Sequence, residues 1–192
     1  KEPISKQLYD IYGLYPAPGD RHVGEFFPYY MKEEVLMEQD YEWKNNDFKV
    51  VDGWREEARV LFDEVRTKKE GYEEFLKGSG ETATYFIRSL ATGDISDEMV
   101  NVINNGYIDN VSSGIIVELP TYIDEFGLHP QKIGKLPDAI AAQCDRLGRE
   151  YLLMVEAAAT CNYELARQAM FLDPLVSNCK YPELLLKDLI RA

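Results

Sequence analysis

The sequence predicts an α+β fold in which helices pack on a small, mostly antiparallel sheet. Segments with helical periodicity lie in the first and last parts of the 192-residue chain, and alternating apolar segments lie only in its middle. Strands therefore do not alternate with helices, which argues against a doubly wound parallel sheet. The length suits one sizeable core and no linker divides the chain, so we expect a single domain over residues 1–192.

Helical patterns dominate the first half of the chain. A short helix is expected over residues 5–12, followed by a stretch, 13–24, whose three glycines and two prolines predict neither helix nor strand. A second helix is expected from residue 25 to about 41, and a polar connection over 44–53. Apolar residues at helical spacing then predict a long helix ending near Gly78 and a shorter one after it: Trp54, Ala58, Leu61, Phe62, Val65, Tyr72 and Leu76, then Ala83, Phe86, Ile87 and Leu90.

Strand patterns fill the middle, and helices return after it. Alternation predicts strands around residues 100–102 and 115–119, a third over 122–127, and a possible fourth near 131–133. Pro137 suits the start of a long helix with the apolar stripe Ile140, Cys144, Leu147, Tyr151, Met154 and Ala158. Asn162 is expected to cap the next helix, and Pro182 to open the last one.

Charge and cysteine content narrow the function classes. The net charge of −13 disfavours binding to nucleic acid or to an anionic membrane surface. Three cysteines cannot form a complete disulfide framework, and we interpret them as small apolar residues within helical segments. No secretory signal or membrane-spanning run is visible, so a cytoplasmic location is expected. The chain begins at Lys1, which is compatible with a fragment or a processed form.

The loop containing Asp20, Arg21 and His22 is the first candidate site. An aspartate can accept a proton, an arginine can bind an oxyanion or hydroxyl, and a histidine can orient a neighbouring group. An irregular loop between rigid helices is a common place for such groups. The alternative is ordinary turn chemistry, with Asp20 capping the helix that follows.

Asn104 and Asn105 form the second candidate site. Paired amides in a loop after a strand can bind sugar hydroxyls, but they are also typical of tight turns. His129 is interpreted as a surface or turn histidine, because a lone imidazole needs partners to act as a ligand. The GSG sequence at 78–80 follows a helix rather than a strand and is interpreted as a helix stop. No spacing typical of a zinc site is present.

Four motifs give the chain a resemblance to the C-terminal portion of glycoside hydrolase family 4. They keep that family's order and rough spacing, and together cover about residues 8–176. The four are GDRHVGEFFPY at 19–29, SGETA at 79–83, VINNGYIDN at 102–110 running on to VELP at 117–120, and ELARQA at 164–169 running on to LDPL at 172–175. The GDRH form resembles the branch that acts on unphosphorylated α-glycosides, which includes α-glucosidases, α-galactosidases and α-galacturonidases.

The resemblance implies a glycosidase that depends on NAD and on a divalent metal, usually Mn²⁺. In that chemistry NAD⁺ takes hydride from C3 of the sugar, and the resulting ketone acidifies the C2 proton. A base removes this proton, the metal stabilises the enediolate, the C1–O bond is lost by elimination, water adds, and C3 is reduced again. A pair of carboxylates at hydrolase spacing is therefore not required.

Carried over by position, the resemblance implies that Asp20 is the candidate general base. It implies that Arg21, His22, Asn104 and Asn105 lie near the sugar. The family's dinucleotide-binding Rossmann domain and its metal-binding Cys and His would precede Lys1, so NAD and Mn²⁺ are expected to bind mainly through that absent domain. No metal ligand is expected within the chain itself, and the residues that contact NAD are unknown.

The resemblance also implies a fold and an assembly. The chain should be the substrate-side and dimer-forming half of an enzyme that assembles as a homodimer, with a fold similar to the C-terminal domain of lactate and malate dehydrogenases. Two alternatives stay open: a non-catalytic sugar-binding or assembly domain without a Rossmann partner, and the substrate domain of a 2-hydroxy-acid dehydrogenase. The second is disfavoured because no histidine lies in a suitable Asp/Arg relay outside the Asp20 loop. The particular sugar does not follow from the sequence.

Overall fold

A computed structural model describes residues 2–31, 48–68, 73 and 82–191 and confirms the α+β class. Within these residues, seven α-helices accompany one three-stranded sheet. The helices are α1 (Pro3–Tyr12), α2 (Asp20–Phe26), α3 (Phe48–Lys68), α4 (Ala83–Thr92), α5 (Asp138–Thr160), α6 (Tyr163–Leu172) and α7 (Pro182–Arg191). The strands are β1 (Ser96–Ile103), β2 (Ile116–Asp124) and β3 (Gly127–Pro130), and short 3-10 turns lie at Pro28–Met31 and Leu175–Asn178.

The sheet is an antiparallel meander in the order β1-β2-β3. Cross-strand partners share a face, so Val102 pairs with Val117 and Val100 pairs with Leu119 on the inner side. Along β2, buried and exposed residues alternate, as expected for a strand with one face on a core. Helix α4 packs beside β1 and β2.

Two buried clusters form the core. The first lies under β2 and the loop before it and contains Ile108, Val111, Ile115, Val117, Leu119 and Ala141. The second joins α1 to α2 and contains Ile4, Leu8, Val23, Phe27 and Tyr30. The start of α5 connects them, because Ile140 packs on the second cluster while its neighbour Ala141 belongs to the first.

Helix α5 approaches the sheet closely at Gly148. A Cβ built on this glycine would lie 2.7 Å from Cβ and 2.6 Å from Cδ1 of Ile115. These distances are shorter than side-chain packing allows, so the backbone of α5 approaches the first cluster only because residue 148 has no side chain.

Several expected boundaries were wrong. The helix expected from residue 25 begins at Asp20, inside the stretch expected to be irregular, and a 3-10 turn replaces it from Pro28. The third strand expected over 122–127 is divided between the end of β2 and the start of β3. Residues 131–133 form no strand, although Ile108 and Gly134 form an isolated bridge. The expected helix over 32–41 and the end near Gly78 lie outside the described residues.

Other expectations are confirmed at the level of single caps. The side chain of Asn162 accepts hydrogen bonds from the N–H groups of Glu164 and Leu165 at the start of α6. Pro182 opens α7. The cysteines are free, but only half-buried Cys144 fits the expectation of an apolar residue within a helix, since Cys161 is exposed and Cys179 lies outside the helices.

No described helix is both long enough and apolar enough to cross a membrane.

Candidate functional site

The carboxylate of Asp20 is held by the first turn of helix α1. Its Oδ2 accepts a hydrogen bond from the N–H of Ile4 at 2.8 Å, and its Oδ1 accepts from the N–H of Ser5 at 2.8 Å and from Ser5 Oγ at 2.6 Å. The first N–H groups of a helix lack partners inside it, and Pro3 has none to offer. Asp20 therefore caps the preceding helix α1, not the helix it begins, and ties α1 to α2.

The same three donors fix the orientation of the Asp20 carboxylate. A carboxylate has about four acceptor positions, so roughly one direction is left for a further partner. A base must present such a direction to the proton it removes. The half-buried Asp20 is thus both a helix cap and an oriented acceptor.

His22 lies in the same first turns of α2. Its side chain is exposed, and Nδ1 lies 3.6 Å from Oε2 of Glu25 one turn later. Arg21 lies between Asp20 and His22 in the helix, and its side chain is outside the described part. The backbone therefore groups the three predicted residues at one helix end.

Tyrosines and phenylalanines surround this helix pair. The Tyr15 hydroxyl donates to Oε2 of Glu2 at 2.7 Å, and this bond raises the pKa of Tyr15. The Phe27 ring lies 6.1 Å from the ring of Tyr12 and 5.9 Å from that of Tyr29, measured between centroids. Burial raises the pKa of Tyr29. These rings pack on one another at the junction of α1, α2 and the 3-10 turn that follows α2.

Asn104 is completely buried, and its amide holds the loop between β1 and β2. Nδ2 donates to the carbonyls of Val111 at 2.8 Å and of Ile108 and Ser112 at 3.2 Å, while Oδ1 accepts from the N–H of Ile108 at 3.0 Å. The amide hydrogens are therefore already used by the loop, which favours the turn interpretation. Asn105 is exposed, and sugar binding by this pair stays a prediction.

The two predicted groups lie beside different core clusters. Asp20 and His22 adjoin the α1–α2 cluster, while Asn104 bonds to residues of the cluster under β2. The first turn of α5 contacts both clusters through Ile140 and Ala141. Helix α5 is thus the element through which the two groups are held in one framework.

Two polar residues of consequence were not identified from the sequence. Ser5 supplies two of the three donors to Asp20. Pro3 indicates the start of a helix, and the N–H groups that follow such a start need an acceptor from outside the helix, so Pro3 could have pointed to this contact. Glu150 is 4% exposed although it is charged. Glu150 lies three residues after Leu147 and four before Met154, on the apolar face of the same helix. A charged residue at such a position is unusual, so the sequence pattern could have identified it.

His129 lies in β3, and its side chain contacts the end of β2 across the hairpin. Its Nε2 lies 2.9 Å from Oδ1 of Asp124, and this bond contributes most to lowering the pKa of Asp124. The N–H of Phe126 also donates to the Asp124 carboxylate. His129 is exposed, as the sequence predicted, but it lies in strand β3 rather than in the turn.

The described residues do not form a site for a metal or a dinucleotide. No group of three or more His, Cys, Asp or Glu side chains converges within them. The glycines at 78 and 80 lie outside the described part, and none of the described strands is followed by a glycine-rich loop that opens a helix.

Comparison with known proteins identifies the protein family to which the chain belongs. The sequence model of the protein family described as "Family 4 glycosyl hydrolase C-terminal domain" matches residues 1–176. The chain is 30% identical to an alpha-galactosidase of Rhizobium meliloti over 95% of its own length and 39% of the relative's. It is 31% identical to an alpha-galacturonidase of Thermoanaerobacterium saccharolyticum, over 98% of its own length and 41% of the relative's. The chain thus belongs to the family 4 glycosyl hydrolases and spans about two fifths of the length of these relatives.

Solved structures agree with the fold. The crystal structure of lplD from Bacillus subtilis is 28% identical, with a TM-score of 0.83 over 97% of this chain and 42% of that one. A 6-phospho-alpha-glucosidase from gut microorganisms, crystallised with NAD and Mn²⁺, has a TM-score of 0.74 at 20% identity over 97% of this chain and 41% of that one. The second likeness concerns the fold alone.

Proposed function

We propose that this chain is the substrate-side part of a glycosidase that cleaves unphosphorylated α-glycosides by NAD- and metal-dependent elimination. Family membership and the names of the two relatives support a glycosidase. The observation that carries the proposal is the Asp20 carboxylate, oriented by three donors and placed where the family motif has its candidate base.

In this proposal Asp20 removes the proton next to the oxidised carbon of the sugar. Three hydrogen bonds hold the carboxylate in one orientation before substrate arrives, so little reorganisation accompanies proton transfer. His22 and Arg21 lie at the same helix end and are offered as sugar-binding residues, as is Asn105.

The proposal assigns NAD and Mn²⁺ to a Rossmann domain outside the described residues. A structural neighbour that holds both groups supports their involvement in the family. NAD would supply reversible oxidation of the sugar and Mn²⁺ would supply Lewis acidity. We also propose a cytoplasmic homodimer, supported by the free cysteines and by exposed apolar side chains on α3.

The test uses the full-length encoded protein with NAD⁺, Mn²⁺ and a panel of nitrophenyl α-glycosides that includes the α-galacturonide. We expect cleavage of at least one substrate that requires both additions. In Asp20→Asn we expect kcat to fall by about 10³-fold or more. The amide keeps one acceptor oxygen for the α1 cap but places an NH2 group where the other oxygen accepts, so the melting temperature should also fall while the protein stays folded.

Ser5→Ala is the matched control, because it removes one donor to Asp20 but leaves the carboxylate. We expect its kcat to stay within about tenfold of the wild-type value. Wild-type-like activity in Asp20→Asn would contradict the assignment of the base. It would leave Asp20 with the capping role alone.

The alternative is a non-catalytic sugar-binding or assembly domain. The observation that favours the assembly role is that the fold itself uses the Asn104 amide hydrogens and three acceptor positions of Asp20, which leaves little of either group for a sugar. A folded full-length protein that cleaves no member of the panel, with or without NAD⁺ and Mn²⁺, would support this alternative.

A further inference from the structure

A cavity of about 550 Å³ lies between helices α5, α6 and α7, away from Asp20. Its walls are mostly apolar, with Met154 on α5, Met170 on α6, and Leu186 and Ile190 on α7. Cavities of this size and lining are typical of small-molecule sites in proteins. Methionine side chains adapt their shape readily, so two of the walls can adjust to an occupant.

One charged group lies in this apolar cavity without a partner. Glu150 lines it and is 4% exposed, and Oε2 accepts no hydrogen bond from any described residue. An unpartnered buried carboxylate oxygen is costly, and folded proteins rarely keep one without a role. Burial raises the pKa of Glu150, and the charge of Asp173, which also lines the cavity, raises it further.

The nearby basic side chain does not satisfy this carboxylate. Arg146 donates to Oε1 of Gln143 at 2.9 Å and to the carbonyl of Leu172 at 3.4 Å. Within the described part of the chain, no ion pair involves Glu150. The cavity therefore combines two acidic groups, an apolar wall and an unmet requirement for a donor.

We propose that this cavity binds a small organic cation, an ammonium group on a short apolar stem, with the ammonium on Glu150 and the stem between Met154 and Met170. An ammonium donates the hydrogen bond that Oε2 lacks and offsets the charges of both acids. The stem buries apolar surface against the three helices. An anionic ligand is excluded by the same two carboxylates.

Methyl NMR on the full-length protein labelled with ¹³C-methyl methionine tests the site directly. The probes are hexylammonium and its neutral isostere 1-hexanol. We expect hexylammonium to shift the Met154 and Met170 signals and to bind at least tenfold more tightly than hexanol. The Met99 methyl, exposed on β1, is the internal control and should not move.

Two substitutions separate the charge from the apolar wall. Glu150→Gln should weaken hexylammonium binding at least tenfold and leave hexanol binding within twofold. Glu156→Gln changes an exposed acid on the same helix and should leave both affinities within twofold. Asp173→Asn keeps an acceptor for the N–H of Leu175 and should weaken hexylammonium binding at least threefold, which provides a second test if Glu150→Gln does not fold.

Equal affinity for the two probes, unchanged hexylammonium binding in both Glu150→Gln and Asp173→Asn, or shifts confined to Met99 would each overturn the proposal. None of these readouts depends on glycosidase activity. The result is therefore independent of the proposed function.

Discussion

Asn104 shows how a single buried amide organises the loop between β1 and β2. Its four hydrogen bonds replace the contacts that water would make with the backbone of residues 108–112. Removing the side chain leaves these backbone groups buried and unpaired. Each such loss costs about 1–3 kcal/mol, and the losses overlap within one network.

Asn104→Ala should therefore lower the free energy of unfolding by about 3 kcal/mol, measured by urea denaturation. Asn105→Ala is the matched control, since the Asn105 side chain is exposed, and should change the same quantity by less than about 0.5 kcal/mol. Equal effects at the two positions would contradict the role assigned to the buried amide.

Asp145 links the same loop to α5 and makes its stability depend on pH. Hydrogen bonds from Ser112 and then Arg149 lower the pKa of Asp145 to about 2. An unfolded aspartate titrates near 3.9, so this stabilisation is present above about pH 4 and is lost as pH falls toward 2.

Wild-type protein should be more stable than Asp145→Asn at pH 6, and the difference should shrink as pH falls from 5 to 3. Urea unfolding at several pH values measures it. A difference that stays constant over this range would show that the ionised carboxylate is not what stabilises the loop.

At the residue scale, the sequence predicted which residues matter better than it predicted which residues they contact. The motif pointed to Asp20 and Asn104, and turn or cap chemistry was recognised as the alternative for each. The partners could not be predicted, because Asp20 bonds to residues 15 and 16 positions earlier. Pairings at that separation depend on how two helices pack, which local sequence does not encode.

At the scale of elements, two of the glycines within described helices, Gly53 and Gly148, have opposite environments. Gly148 of α5 lies against Ile115, whereas a Cβ on Gly53 of α3 would meet nothing within 4 Å. Alanine is intrinsically about 1 kcal/mol better than glycine inside a helix. Overpacking a core typically costs about 1–3 kcal/mol, and at Gly148 the obstruction is a Cβ that cannot rotate away.

Gly148→Ala should therefore destabilise the protein by about 2 kcal/mol, and Gly53→Ala should stabilise it by about 0.5–1 kcal/mol. Chemical denaturation of both variants and of the wild-type protein measures whether each substitution raises or lowers the free energy of unfolding. Stabilisation by Gly148→Ala would mean that α5 can move away from β2 at little cost.

Element types were predicted better than element ends. Helical and alternating periods identified α3, α5, β1 and β2. The start of α2 was missed because glycine and proline content suggested a turn through residue 24, whereas the helix tolerates Gly24. Its stability comes from packing of Val23 and Phe27 on α1, and this tertiary contribution outweighs local propensity.

At the scale of the whole molecule, α3 is an amphipathic helix whose apolar side is largely exposed among the described residues. Trp54 is 61% exposed and Phe62 is 59% exposed, and α3 packs extensively against no other described helix or strand. Aromatic side chains clustered on one exposed face are typical of an interface. We expect this face to contribute to the proposed homodimer.

The full-length protein should sediment as a dimer, and Trp54→Arg should shift it toward monomer by at least tenfold in dissociation constant. Phe126→Arg, at an exposed aromatic in the β2–β3 turn, is the matched control and should leave the dimer intact. Equal effects of the two substitutions in analytical ultracentrifugation would rule out α3 as the specific contact.

The catalytic role proposed for Asp20, added to its cap of α1, has a consequence for tracing activity through lineages. Because its carboxylate completes the start of α1, a descendant that no longer cleaved sugar would still be selected to keep an aspartate there. The presence of this residue in a genome sequence is therefore a weak marker of a working enzyme. Loss of catalysis would first become visible at neighbouring positions that the scaffold does not need.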